Sequence, residues 1–147
     1  MGPVFGGGSL VGLDLTVPLG EEVSLGIDVG LRTGLSIKDI YPNVAGSVVV
    51  AGELSRPGRT RHGLFATVGA TAPLDFFEVW TGGGWHLSTF DARGLRQIGF
   101  DLGLAYYLVR ELPPETDLRL PAFLYLRFVY HIPLVQPPPP APTASSG

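Results

Sequence analysis

Cysteine is absent from the 147 residues, which excludes a disulfide scaffold and a thiolate-ligated metal site. Charge is scarce: Asp, Glu, Lys and Arg make up 16% of the chain, against roughly 25% in an average protein. Lysine occurs once, at Lys38. A formal net charge of −3 and a pI near 5.5 give no general attraction to nucleic acid. No apolar run reaches the roughly 18 residues of a membrane-spanning helix. The nearest, Leu118 to Val135, is broken by Arg119, Pro121, Arg127, His131 and Pro133. No segment carries a helical period. Nucleophile elbows, phosphate loops and dinucleotide fingerprints are missing too. His62, His86 and His131 lack metal-like spacing, so neither a metal nor another cofactor is expected.

Glycine and proline, by contrast, are plentiful, at 21 and 14 residues, and mean hydropathy is +0.28. The recurring signal is alternation of period two, which marks strands with two different faces. Val11, Leu13, Leu15 and Val17 form one apolar row; Val23, Leu25, Ile27, Val29 and Leu31 form another. Leu64, Ala66, Val68 and Ala70 follow, then Ile98 to Leu108 and Leu118 to Tyr130. Val44 to Leu54 is apolar on both phases, and Phe76 to Ser88 carries Gly82-Gly83-Gly84 in its middle. Turn clusters such as Pro18 to Glu21, Ala72 to Asp75 and Asp91 to Gly94 separate these segments and imply antiparallel connections. The reading is an all-β, antiparallel up-and-down meander closed into a small barrel, because closure removes exposed strand edges. About seven strands are visible. A strand upstream of the chain, or one within Leu35 to Pro42, brings the count to the even number such barrels use.

The face opposite the apolar rows is mostly Gly, Ser, Ala and Thr, with Phe65, Tyr107, Phe123 and Tyr125 among them. Small residues beside large aromatics suit a tight interior. The charges on that face read the same way. Asp14, Asp28 and Asp101 are set against Arg32, Arg119 and Arg127, a balanced set of the kind that burial demands. If this face is the lumen, the apolar rows face outward. Rows of 9–11 residues with aromatics at their ends are what a bilayer-spanning strand requires. Trp85, Tyr106, Phe128 and Tyr130 are placed as interfacial anchors.

In these dyad strands, from about Leu10 to Ile132, the chain resembles the small outer-membrane β-barrels of bacteria, in particular the OmpA-type barrel domain. The aromatic-rich segment Pro121 to His131 looks like the terminal strand such barrels use as an assembly signal. Gln136 to Gly147, rich in Pro and Ala, is similar to the linker that leaves those barrels for the periplasm. The resemblance implies an eight-stranded transmembrane barrel in the bacterial outer membrane, not an enzyme, with a structural or anchoring role in the envelope. On that reading residues 1–9 are an N-terminal segment left from an upstream strand, 10–135 the barrel and 136–147 a disordered tail.

The partners expected are membrane lipid and lipopolysaccharide, with Arg56, Arg59 and Arg61 forming a basic loop suited to headgroup phosphates. The chain is expected as a monomer or as one subunit of a larger barrel. Two alternatives stay open. One is a soluble, lipocalin-like barrel holding an apolar ligand. The other is an outer-membrane lipid hydrolase: His86 and Ser88 share a strand face, Glu78 lies on the same phase, and the stretch partly resembles the His-x-Ser-Asn element of lipid A deacylases, with Thr89 in place of Asn.

Overall fold

The computed structural model describes residues 1–6, 11–35, 40–54, 58–73, 76–112 and 120–133, with the backbone alone for 33–35 and 40–42. Eight antiparallel strands follow one another around a closed barrel. They are β1 (Gly2–Gly6), β2 (Val11–Pro18), β3 (Val23–Leu35), β4 (Ile40–Glu53), β5 (Thr60–Thr71), β6 (Phe77–Phe90), β7 (Arg96–Glu111) and β8 (Ala122–Tyr130). The meander expected from the alternation is the architecture present.

The eighth strand is neither upstream nor hidden in the middle. Gly2–Gly6 pairs with β2 on one side, through Phe5 opposite Val11, and with β8 on the other, through Val4 opposite Val129. The wall therefore begins before Leu10. Leu35 to Pro42 holds the end of β3 and the start of β4, paired to each other through Leu35 and Ile40. Proline obeys the ladder's needs. Pro3 and Pro42 lie in stretches paired to one neighbouring strand, and Pro121 precedes β8 instead of interrupting it.

The faces divide as the rows imply. Leu13, Leu31, Leu64, Leu104 and Leu124 are each more than half exposed on the outer surface. Ala51, Phe65, Trp80, Ala105 and Tyr125 fill the lumen beside buried Asp14, Asp28 and Asp101. The double-phase segment of β4 resolves the same way: Ala45, Ser47, Val49 and Ala51 turn inward, Val44, Val48 and Val50 outward.

Glycine permits the closest part of the wall. A Cβ on Gly84 would lie 2.3 Å from the Leu102 carbonyl oxygen, and one on Gly103 would lie 2.1 Å from that of Gly83. The Gly82-Gly83-Gly84 run is thus a close-packed stretch of the wall.

The register slips twice between β6 and β7. Val79 faces Val109 but Trp80 faces Tyr107, and Thr89 faces Ile98 but Phe90 faces Arg96. Leu108 and Gln97 are the extra residues of two bulges. Leu108 and Val109 consequently both point outward, 62% and 42% exposed.

Candidate functional site

Five carboxylates (Asp14, Asp28, Glu53, Glu78, Asp101) and five guanidinium groups (Arg32, Arg61, Arg96, Arg110, Arg127) are paired inside the barrel. They form three tiers along the axis. β8 gives the order from the β7–β8 loop end towards the end where Met1 meets Ile132, called the terminal end: Phe123, Tyr125, Arg127, Val129, then His131.

The central tier is built around Arg127. Its Nε donates to Asp28 Oδ2 at 2.6 Å, and its Nη2 donates to Asp28 Oδ1 at 2.8 Å and to Asp14 Oδ2 at 2.7 Å. Its Nη1 donates to Asp101 Oδ2 at 2.9 Å. Thr16 and Ser47 hydroxyls donate to Asp14 and Asp28, and His86 Nδ1 meets the second oxygen of Asp101. Every strand that contributes here supplies its residue from the inward phase. A Cβ on Gly26 would sit 2.9 Å from Arg127 Nη2, so glycine at that position makes room for the guanidinium.

The two outer tiers invert the arrangement: one carboxylate is shared by two arginines. At the terminal end Glu53 accepts from Arg61 at 2.8 Å, Arg96 at 2.6 Å and Ser88 at 2.9 Å. At the far end Glu78 accepts from Arg32 and Arg110, both at 3.0 Å, and Arg32 also donates to Tyr107. Between the centre and the far tier lies an aromatic layer. Phe65 packs on Tyr125 at 5.2 Å and Tyr107 on Phe123 at 5.0 Å, while the Arg32 guanidinium lies 4.7 Å over Trp80. Glycine again makes the space, since a Cβ on Gly69 would lie 2.3 Å from the Trp80 ring.

Of the six charges expected to meet in the lumen, Asp14, Asp28, Asp101 and Arg127 do meet. Arg32 lies inside too, but it pairs with Glu78 instead of the three aspartates. Arg119 lies outside the described residues, as does Arg56 of the basic loop. Of the other two, Arg59 is exposed, whereas Arg61 stands in β5 and pairs with Glu53, its side chain 27% exposed. The hydrolase pair is differently engaged: Ser88 donates to Glu53, His86 pairs with Asp101, and Glu78 belongs to the opposite tier.

Arg96 and Arg110 escaped the sequence reading for a definite reason. Both share the phase of the outward row Ile98 to Leu108, and the bulges at Gln97 and Leu108 turn them into the lumen. Glu53 was more legible, since it continues the inward phase of Ala45 to Ala51.

His131 stands just past β8, beside Asp14 at 3.7 Å. Burial, with the charges of Arg96 and Arg127 nearby, pushes its imidazole down to about 3. These effects outweigh the nearby aspartate, and the ring is uncharged at neutral pH. Among the described residues no group of His, Asp and Glu is arranged to hold a metal ion.

Fold and interior together define a closed eight-stranded β-barrel with an apolar outer wall and an ion-paired lumen. No known protein family, curated protein or solved structure matches the chain.

Proposed function

We propose that this protein is a non-enzymatic bacterial outer-membrane barrel that serves as a structural element or anchor in the cell envelope. The observation that carries the reading is the inverted polarity of the wall. Leu13, Val29, Leu31, Leu104, Leu108 and Leu124 are each 51–62% exposed, while Asp14, Asp28 and Asp101 are at most 1% exposed. In water such a surface promotes association; against lipid chains it is the stable arrangement. The packed aromatic layer and the paired charges leave the lumen a filled core, which favours an anchor over an open channel.

The orientation proposed follows from the termini. If the Pro-rich tail enters the periplasm, Arg59 lies at the periplasmic end, and anionic phospholipid of the inner leaflet becomes its proposed partner in place of lipopolysaccharide. The soluble alternative, a lipocalin-like barrel, calls for an apolar lumen and a polar wall.

Refolding from urea separates the two. A β circular-dichroism spectrum that develops only with detergent or vesicles, together with a gel band that shifts on boiling, is the expected result. A monodisperse β protein that folds in plain buffer would overturn the membrane assignment.

A further inference from the structure

We infer that the cavity at the terminal end of the barrel is a binding site for an aliphatic carboxylate. It measures about 390 Å³, within the range of small-molecule sites. Its walls include Val23, Phe90, Leu95 and Ile132, and its polar floor includes Arg61 and Arg96.

The floor has donors to spare. An arginine carries five N–H donors. Arg61 directs one bond to Glu53 and keeps its Nε buried without a partner. Arg96 directs one bond to Glu53 and one to Ser24. Both oxygens of Glu53 are already taken, and Glu21, also in the lining, has an interaction of its own. The Phe90 ring, itself part of the wall, lies against both guanidinium groups, at 4.2 Å and 5.7 Å. The site therefore presents two pre-positioned cations that already share one carboxylate, and it has unmatched donors for a second. Apolar walls above such a floor suit a hydrocarbon chain. Below it, a gap of about 10 Å³, lined partly by the same Ser24, Arg96 and His131, reaches His86, whose buried Nε2 has no partner. That gap has room for about one water molecule. The cavity of about 460 Å³ by Tyr107, Arg110 and Leu120 offers no such buried donor.

The inference stands apart from the membrane assignment, because the cavity belongs to the barrel in either medium. The test uses the full chain in phosphatidylcholine nanodiscs, or in plain buffer if it folds there. Octanoate is titrated while the Arg61 and Arg96 Nε–Hε resonances are followed by NMR. Saturable shifts at both arginines are expected, with none from octanol or inorganic phosphate. Arg61→Gln is expected to weaken octanoate at least tenfold, and Arg110→Gln at the opposite end to leave it unchanged. Equal shifts with octanol, equal shifts with phosphate, or no saturation with octanoate would each overturn the assignment. Should Arg61→Gln fail to fold, Leu95→Trp narrows the cavity from the β6–β7 turn. Its expected result is loss of the octanoate shifts, and their persistence would overturn the site.

Discussion

Arg127 and Asp28, 99 residues apart in the chain, meet through two bonds of 2.6 Å and 2.8 Å. This pair joins β8 to β3 through the lumen, across strands that are not neighbours in the wall. Asp14 and Asp101 attach β2 and β7 to the same guanidinium, so one side chain ties four strands together.

Removing that guanidinium leaves three buried carboxylates without their cation. Arg127→Gln should cost about 3–5 kcal/mol, the range for breaking a buried ion pair from one side. Glu53→Gln should cost less, because Arg61 and Arg96 lie nearer solvent, with side chains 27% and 18% exposed. Urea unfolding of both variants in the same vesicles orders them. An equal or larger loss for Glu53→Gln would show that the central tier is not the main tie.

Leu104 lies on the outer wall and is 51% exposed. Against lipid, Leu104→Arg should cost roughly 2–4 kcal/mol near the midplane of the bilayer. In water the same exposed change should lie within about 0.5 kcal/mol of neutral. The folded fraction after refolding reads the difference directly. Leu104 points outward, so the substitution leaves the interior untouched.

Gly84→Ala and Gly103→Ala should each impair folding, since their Cβ atoms would overlap backbone atoms that cannot move independently. Gly52→Ala is the matched control within a strand, because its Cβ would meet nothing within 4 Å. Heat-modifiable mobility should show a reduced folded band for the first two and a normal band for the third. Normal folding of Gly84→Ala would mean that β6 and β7 lie farther apart than described.

His131 is uncharged when folded, with its imidazole pushed down to about 3 from an ordinary 6.5. The unfolded chain therefore takes up the proton first, and stability is full above about pH 6.5 and falls as the pH drops towards 3. The slope for this one group is at most about 1.4 kcal/mol per pH unit. Urea midpoints compared at pH 7.5 and pH 5 should fall in the native chain and fall less in His131→Gln. An unchanged pH dependence in the variant would remove His131 as its source.

Much of this barrel is written in its period-two rows. Side chains alternate strictly along a strand, so Leu102 and Leu104 must share one face and Asp101 and Gly103 the other. Small and aromatic residues on the second face made it legible as the lumen, and with it Asp14, Asp28, Asp101 and Arg127 as interior charges. Three features lay beyond that rule. Gly2–Gly6 is too short to show a period, and it becomes a strand because β2 and β8 both supply hydrogen-bonding edges. Arg96 and Arg110 have the outward phase in the sequence, and a bulge beside each one reverses it. Arg32 has the right phase but the wrong expected partners. Phase fixes which side of the wall a residue faces, whereas height along the axis depends on strand tilt and register across the whole barrel, and that height gave Arg32 to Glu78.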